Sequence, residues 1–332
     1  MVQLGQDCNK NIMATLKPFW RRTPPALFPS LLGLFGLALA WRAAADVWNV
    51  PSTIGAIMGV IAAFVLMITL TSYVIKLYIR PKVLWEDLQI GPARGAVSAG
   101  SMCAMALAAF LLPYTTLGAF LIWWMSIGLH AVYFGCVLVI LSRHENTFEE
   151  ISPVLMLPIV GVLVATLAAP KLGYETFAFV VLMLAIPVSA TILLISLWNA
   201  RTAGVSAAQR TSYAIFLAPP SVTALGIYAI SGSTYYMPAW IGASLIGIAL
   251  LPFVRWMGQG GWNPGWGAFT FPVSAFAGVQ IFAVKAGYGW VAEVMAIGSL
   301  SLASLVVPYI VARTYLSWFQ GKLGPATKAA VA

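Results

Sequence analysis

The sequence predicts an all-α polytopic membrane protein of ten transmembrane helices, paired as five helical hairpins. Three observations predict it. Only 8% of the 332 residues are charged and 61% are hydrophobic, whereas soluble domains carry roughly 25% charge to face water. Ten apolar stretches pass or approach the ~20 helical residues that cross a ~30 Å hydrocarbon core. Proline recurs at a near-constant interval, once per pair of stretches. The same composition excludes disorder, which needs low hydrophobicity and high charge. It also excludes an outer-membrane barrel, whose strands alternate over only about 10 residues.

Met1 to Thr15 are polar and have no signal-peptide hydrophobic core, so segment 1–24 is expected to stay as a cytoplasmic tail before a retained first span. That span is Pro25–Ala45, rich in glycine and hydroxyl residues. Thr53–Ile79 comes next, bulky and closed by Lys76 and Arg80. Ala93–Pro113 is again small-residue-rich, with Ser98, Gly100 and Ser101. Leu117–Leu141 carries the bulky run Leu121-Ile122-Trp123-Trp124-Met125. Pro153–Ala169 and Tyr213–Ser231 are short and proline-interrupted, the weakest of the ten. Glu175–Leu197, Pro238–Met257, Gly265–Ala286 and Trp290–Leu316 complete the set. The membrane domain, 25–317, ends in a cytoplasmic tail, 318–332.

Basic residues orient the chain. With the amino terminus inside, only Arg42, Lys171 and Lys285 of the 18 Lys and Arg residues fall outside. The other fifteen lie on the cytoplasmic side, as the positive-inside rule demands. An even span count with both termini cytoplasmic agrees, and the membrane is expected to be a bacterial inner membrane. The net charge of +9 therefore reads as topology, with no nucleic-acid partner.

Each odd-numbered span carries proline at its start or in its cytoplasmic half: Pro29, Pro92, Pro158, Pro220 and Pro272. The intervals are 63, 66, 62 and 52 residues, a repeat signature. Proline removes a donor and bends a helix, and irregular backbone at membrane depth must be buried or line a watery path. Five kinked helices are thus expected as an inner ring around a central pore. Their small and hydroxyl residues are the candidate lining: Ser30, Gly33, Ser98, Thr166, Thr223, Thr270 and Ser274. The even spans form the outer, lipid-facing ring.

The placement of charges excludes several function classes. Glu293 and Arg42 sit at outer span ends, and His130 alone lies near mid-membrane. Proton-coupled carriers place Asp, Glu or His relays inside the membrane, and cation pores show acidic rings or carbonyl filters. An enzyme needs a nucleophile–base pair or metal ligands. None is visible in the sequence, so neither catalysis nor a cofactor or metal is expected. Cys8, Cys103 and Cys136 have no metal-ligand spacing and read as reduced small side chains. His130 reads as a hydrogen-bonded structural histidine, with an anion site or pH sensor as the alternative. A path of hydroxyls, N–H groups and bent helices suits weakly held anions.

Several segments then meet a known family. They are Phe28-Pro29-Ser30-Leu31-Leu32-Gly33 with Leu39-Ala40-Trp41, Leu157-Pro158, Leu217-Ala218-Pro219-Pro220 and Gly267-Ala268-Phe269-Thr270-Phe271-Pro272. In their order and placement the chain resembles the tellurite-resistance/dicarboxylate transporter family. That family includes bacterial TehA proteins, fungal malate transporters and plant slow-type anion channels. The resemblance implies a homotrimer with one pore per subunit, lined by the five odd helices. It implies a pore-plugging phenylalanine on the ninth helix, matched by Phe271 with Phe269 as second choice. It also implies a small residue on the first helix that makes room for the plug, matched by Gly33.

The resulting expectation is a passive, Phe271-gated channel for small monovalent anions and organic acids. The alternative is a secondary transporter for dicarboxylates such as malate or for tellurite and other toxic ions.

Overall fold

The computed structural model describes residues 19–143 and 147–331, which form helices, turns and irregular connections with no strand among them. Cys8 and the tail 1–18 lie outside the described residues. The helices, numbered here by span, are α1 Leu27–Trp48, α2 Thr53–Ile79, α3 Gly91–Leu111, α4 Thr116–Leu141, α5 Pro153–Leu167, α6 Glu175–Thr202, α7 Arg210–Ser231, α8 Tyr236–Met257, α9 Pro264–Lys285 and α10 Gly289–Phe319. Among the described residues, nine of these are long and apolar enough to cross a membrane, and α5 is a shorter apolar helix. The chain is a polytopic membrane protein.

The two weak stretches are where the backbone departs from α-helix. In α5, 3-10 turns at Pro153–Leu155 and Gly161–Leu167 flank a single α-helical turn. Pro158 cannot donate to that turn, and Gly161 weakens the helix beyond it. The indole of Trp123 on α4 donates to the Ala165 carbonyl at 2.9 Å, so part of the irregular backbone is satisfied from a neighbouring helix. In α7, a 3-10 stretch Arg210–Leu217 precedes the α-helix Ala218–Ser231. Gly173, at φ +83°, closes the turn before α6, a conformation costly for any residue with a Cβ.

Burial separates the helices into two sets. In the most apolar window of α1, α3, α7 and α9, between 56 and 78% of residues are buried. In α2, α4, α6, α8 and α10 the share is between 17 and 28%. Lipid is as apolar as leucine, so the second set needs no protein cover. The odd helices touch in sequence, α1 to α3, α3 to α5, α5 to α7, α7 to α9 and α9 back to α1. Each even helix packs on the odd helix before it.

Small residues permit that closure. A Cβ built on Gly36 of α1 would lie 2.5 Å from Ser274 Oγ of α9. Gly59 of α2 receives the Phe110 ring of α3 in the space a side chain would fill.

At the end where the odd helices begin, a short helix, Lys82–Gln89, joins α2 to α3. It brings Asp87 to Lys76, with Oδ2 and Nζ 3.0 Å apart and both side chains fully buried. Lys76 also donates to the Thr23 carbonyl at 3.0 Å, and Tyr73 OH donates to Asp87 Oδ2 at 3.0 Å. The Ala330 N–H donates to Asp87 Oδ1 at 2.9 Å. These bonds compensate a burial that would otherwise cost on the order of several kcal/mol per ion.

Candidate functional site

A cavity of about 720 Å³ opens on the face where the odd helices begin. Its walls come from all five odd segments, and the even helices add little beyond Asn199 and Ala200. On α1 it is lined by Pro25, Ala26, Pro29 and Leu32; on α3 by Pro92, Ala93, Ala96 and Met102. Most of α5 contributes, with Pro153, Met156, Leu157, Val160, Gly161 and Val164 among its lining residues, together with Ala218, Pro219 and Val222 of α7. On α9 the lining residues are Gly267, Ala268, Phe271 and Pro272. Traced along each helix, the lining stops at Leu32, Met102, Val164, Val222 and the Phe271-Pro272 pair. The far end is therefore apolar, with one contribution from each segment.

The mouth is electrostatically different. Amino-terminal ends of α1, α3 and α5 reach it, at Ala26, Gly91 and Ser152, while α7 and α9 reach it where their 3-10 stretches turn into α-helix, at Ala218 and Gly267. The cap positions Ala26, Ile90 and Ser152 make no side-chain cap bond, whereas Asn263 Oδ1 accepts from the Gly265 N–H at the start of α9. The start of a helix carries roughly +0.5 elementary charge from its aligned backbone dipoles. Positive potential is thus built from backbone, beside the charged side chains Arg94, Glu149, Glu150 and Lys328 that also line the cavity.

Phe271 is 7% exposed and lies at the cavity's end. Phe269 points elsewhere, its ring centroid 5.6 Å from that of Trp266. A Cβ on Gly33 would fall 2.6 Å from the Thr270 carbonyl carbon, so Gly33 sets the approach of α1 to α9 just beside Phe271. Gly36, three residues on, faces the phenylalanine ring, and its Cβ would lie 3.3 Å from Phe271 Cδ2.

The expected hydroxyl lining is absent from this cavity. Ser30, Ser98, Thr166, Thr223, Thr270 and Ser274 do not line it, nor does Gly33. Most of these hydroxyls donate to helix carbonyls: Ser30 to Leu27, Ser98 to Arg94, Thr166 to Leu163 and Ser274 to Thr270. Thr270 donates to Gly267 of its own helix and to Pro29 of α1. Bonding back to the preceding turn is what a buried hydroxyl without another partner does.

The prolines also take more than one role. Pro29 and Pro92 lie in the first turn of α1 and α3, where no intrahelical bond is lost. They start helices instead of bending them. Pro220 marks the change from 3-10 to α-helix in α7, and Pro158 sits in the irregular α5. Pro272 alone of the five lies inside a regular α-helix. His130 is 3% exposed, with Nδ1 2.8 Å from Ser101 Oγ. Among the described residues no group of three or more His, Cys, Asp or Glu could hold a metal ion.

Arg94 and Gly36 were invisible as site residues in the sequence. Arg94 counted only towards topology, and Gly36 was one of several glycines on α1. The signal for Arg94 was present: a cation inside the first turn of an otherwise small, apolar helix.

Buried helices around a shared cavity, jacketed by lipid-facing helices, define a membrane transport protein. Residues 22–315 match the SLAC1, voltage-dependent anion channel, family. The chain belongs to that family of anion channels and transporters, which are not enzymes. No curated protein matches it significantly.

Proposed function

We propose that the protein is a passive anion channel of a bacterial inner membrane, gated by Phe271. Ten spans, α5 included, form five hairpins whose odd members surround a central path. Both termini are cytoplasmic, so the cavity is an inner vestibule. The subunits form a homotrimer with one path each. Small monovalent anions and organic acids are the substrates.

One observation carries this reading: all five inner segments meet at a single cavity, α1, α3 and α5 with amino-terminal ends that lack side-chain caps, and its far end is apolar and lined by Phe271. The ends attract anions with little fixed charge, and weak attraction favours passage over retention. An aromatic ring in an apolar constriction blocks ions by sterics and dewetting. The test is the reversal potential of purified protein in planar bilayers under chloride, nitrate and malate gradients. Reversal at the anion equilibrium potentials is expected. Reversal at the cation potential, or uphill flux on an imposed proton gradient, overturns the reading.

A further inference from the structure

Arg94 holds a position that topology alone does not explain. It is 1% exposed yet lines the cavity. Nε donates to the Leu88 carbonyl at 2.9 Å and Nη2 to the Gln89 carbonyl at 3.4 Å, both at the end of the short Lys82–Gln89 helix. These bonds hold the guanidinium plane fixed. The remaining nitrogen, Nη1, has Glu150 Oε2 at 3.6 Å. A well-made charge-assisted N–H···O bond is about 2.7–2.9 Å long, so this pair is in contact without being closely bonded. The Glu150 side chain is 40% exposed, and an ion pair with one partner in water is weak. Glu150 belongs to the non-helical segment before α5, whose Phe148 and Ile151 carbonyls are held by Asn199 Nδ2 at 2.9 and 3.1 Å. Its backbone is anchored while its carboxylate reaches into the cavity.

We propose that Arg94 is an anion-recognition residue of the vestibule and that Glu150 is a built-in carboxylate competing for it. The ligand class is a small planar anion with two oxygens to offer, a monocarboxylate or nitrate, matching the guanidinium fork. An arriving anion takes an N–H of Nη1 and the second N–H of Nη2, the pair that the two carbonyls leave open, and Glu150 turns out to water. A spherical halide meets both arms of the fork with one atom and gains less. This inference rests on the reading of the cavity as part of an anion path.

The test measures binding and conduction separately. Detergent-purified protein is melted across a nitrate series, with acetate and chloride as further probes, at constant ionic strength. The nitrate dependence of current is then read in bilayers. Glu150→Gln is expected to lower the half-effective nitrate and acetate concentrations at least threefold in the melt, with a smaller change for chloride. The nitrate concentration giving half-maximal current should fall likewise. Arg94→Lys keeps the charge without the fork and should erase the preference for nitrate over chloride.

A Glu150→Gln protein with unchanged or weaker nitrate stabilisation overturns the proposal, as does Arg94→Lys with wild-type preference. The two readings fail differently. A wild type that carries no anion current, with the melt shifts as expected, sinks conduction and leaves the site standing. A conducting wild type whose nitrate dependence Glu150→Gln does not change, in melt or current, sinks the site alone.

Discussion

Gly33 and Thr270 meet backbone to side chain across the seam between the first and ninth helices. Any Cβ at Gly33 would intrude on Thr270, whose Oγ1 donates to the Pro29 carbonyl at 2.9 Å. The seam therefore has a tolerance smaller than one methyl group. Gly33→Ala should force α1 and α9 apart at a cost of about 1–3 kcal/mol, the usual range for overpacking. A lower melting temperature in detergent checks it. Adding Thr270→Gly, which removes the Cβ that the new methyl meets first, should recover part of the loss, because contacting residues couple. Additive losses would show that the two do not meet.

Phe271→Ala should raise anion current several-fold, because it removes the largest side chain at the closed end of the cavity. Phe269→Ala, on the Trp266 side, should leave current near wild type. Unchanged current in a well-expressed Phe271→Ala protein would count against the gate. Gly36→Ala, which presses on the Phe271 ring, should alter open probability more than Gly33→Ala does.

Asp87→Asn should destabilise severely. It leaves the Lys76 ammonium buried without its counter-charge, a change worth about 3–5 kcal/mol when a buried pair is broken. Replacing both, as in Lys76→Met with Asp87→Leu, should recover much of that loss. The readout is the melting temperature of the two single variants and the double. A double variant no better than Asp87→Asn would mean that the pair is needed for more than charge balance.

Light scattering in detergent should give three times the 35.5 kDa chain mass. Lys328→Cys should resist an impermeant thiol reagent in intact cells, and Lys171→Cys should react. The opposite labelling would invert the proposed orientation and put the cavity outside.

The spans were legible because membrane crossing demands a run of apolar residues that soluble structure rarely needs. Thr53–Ile79 has the same bounds in the structure as in its hydropathy, since polar residues stop the run at both ends. The odd–even division was legible too, because small residues sit where helices touch helices and bulky ones where they touch lipid. Facing was not legible. Ser30 and Ser274 look alike as path-lining and as helix-bonded hydroxyls, and only the azimuth of α1 and α9 separates the two. Gly36, three residues after Gly33 on one helix, meets the Phe271 ring through a rotation that hydropathy does not record. Asp87 was unreadable for another reason: its partners lie on α2 and near the far end of the chain, at Ala330.

The Lys76–Asp87 pair also joins the two segments that flank the helical domain. Lys76 holds Thr23, just before the first hairpin, and Asp87 holds Ala330, just after the last. Gly324 lies against the backbone of Arg22 in the same place. A ring of helices must begin and finish somewhere, and here a non-covalent clasp covers the cut. Residues 23 to 330 thus come near to a closed loop of polypeptide. Linking residues 22 and 331 and opening the chain in a connection between other hairpins should yield a circular permutant with the same architecture.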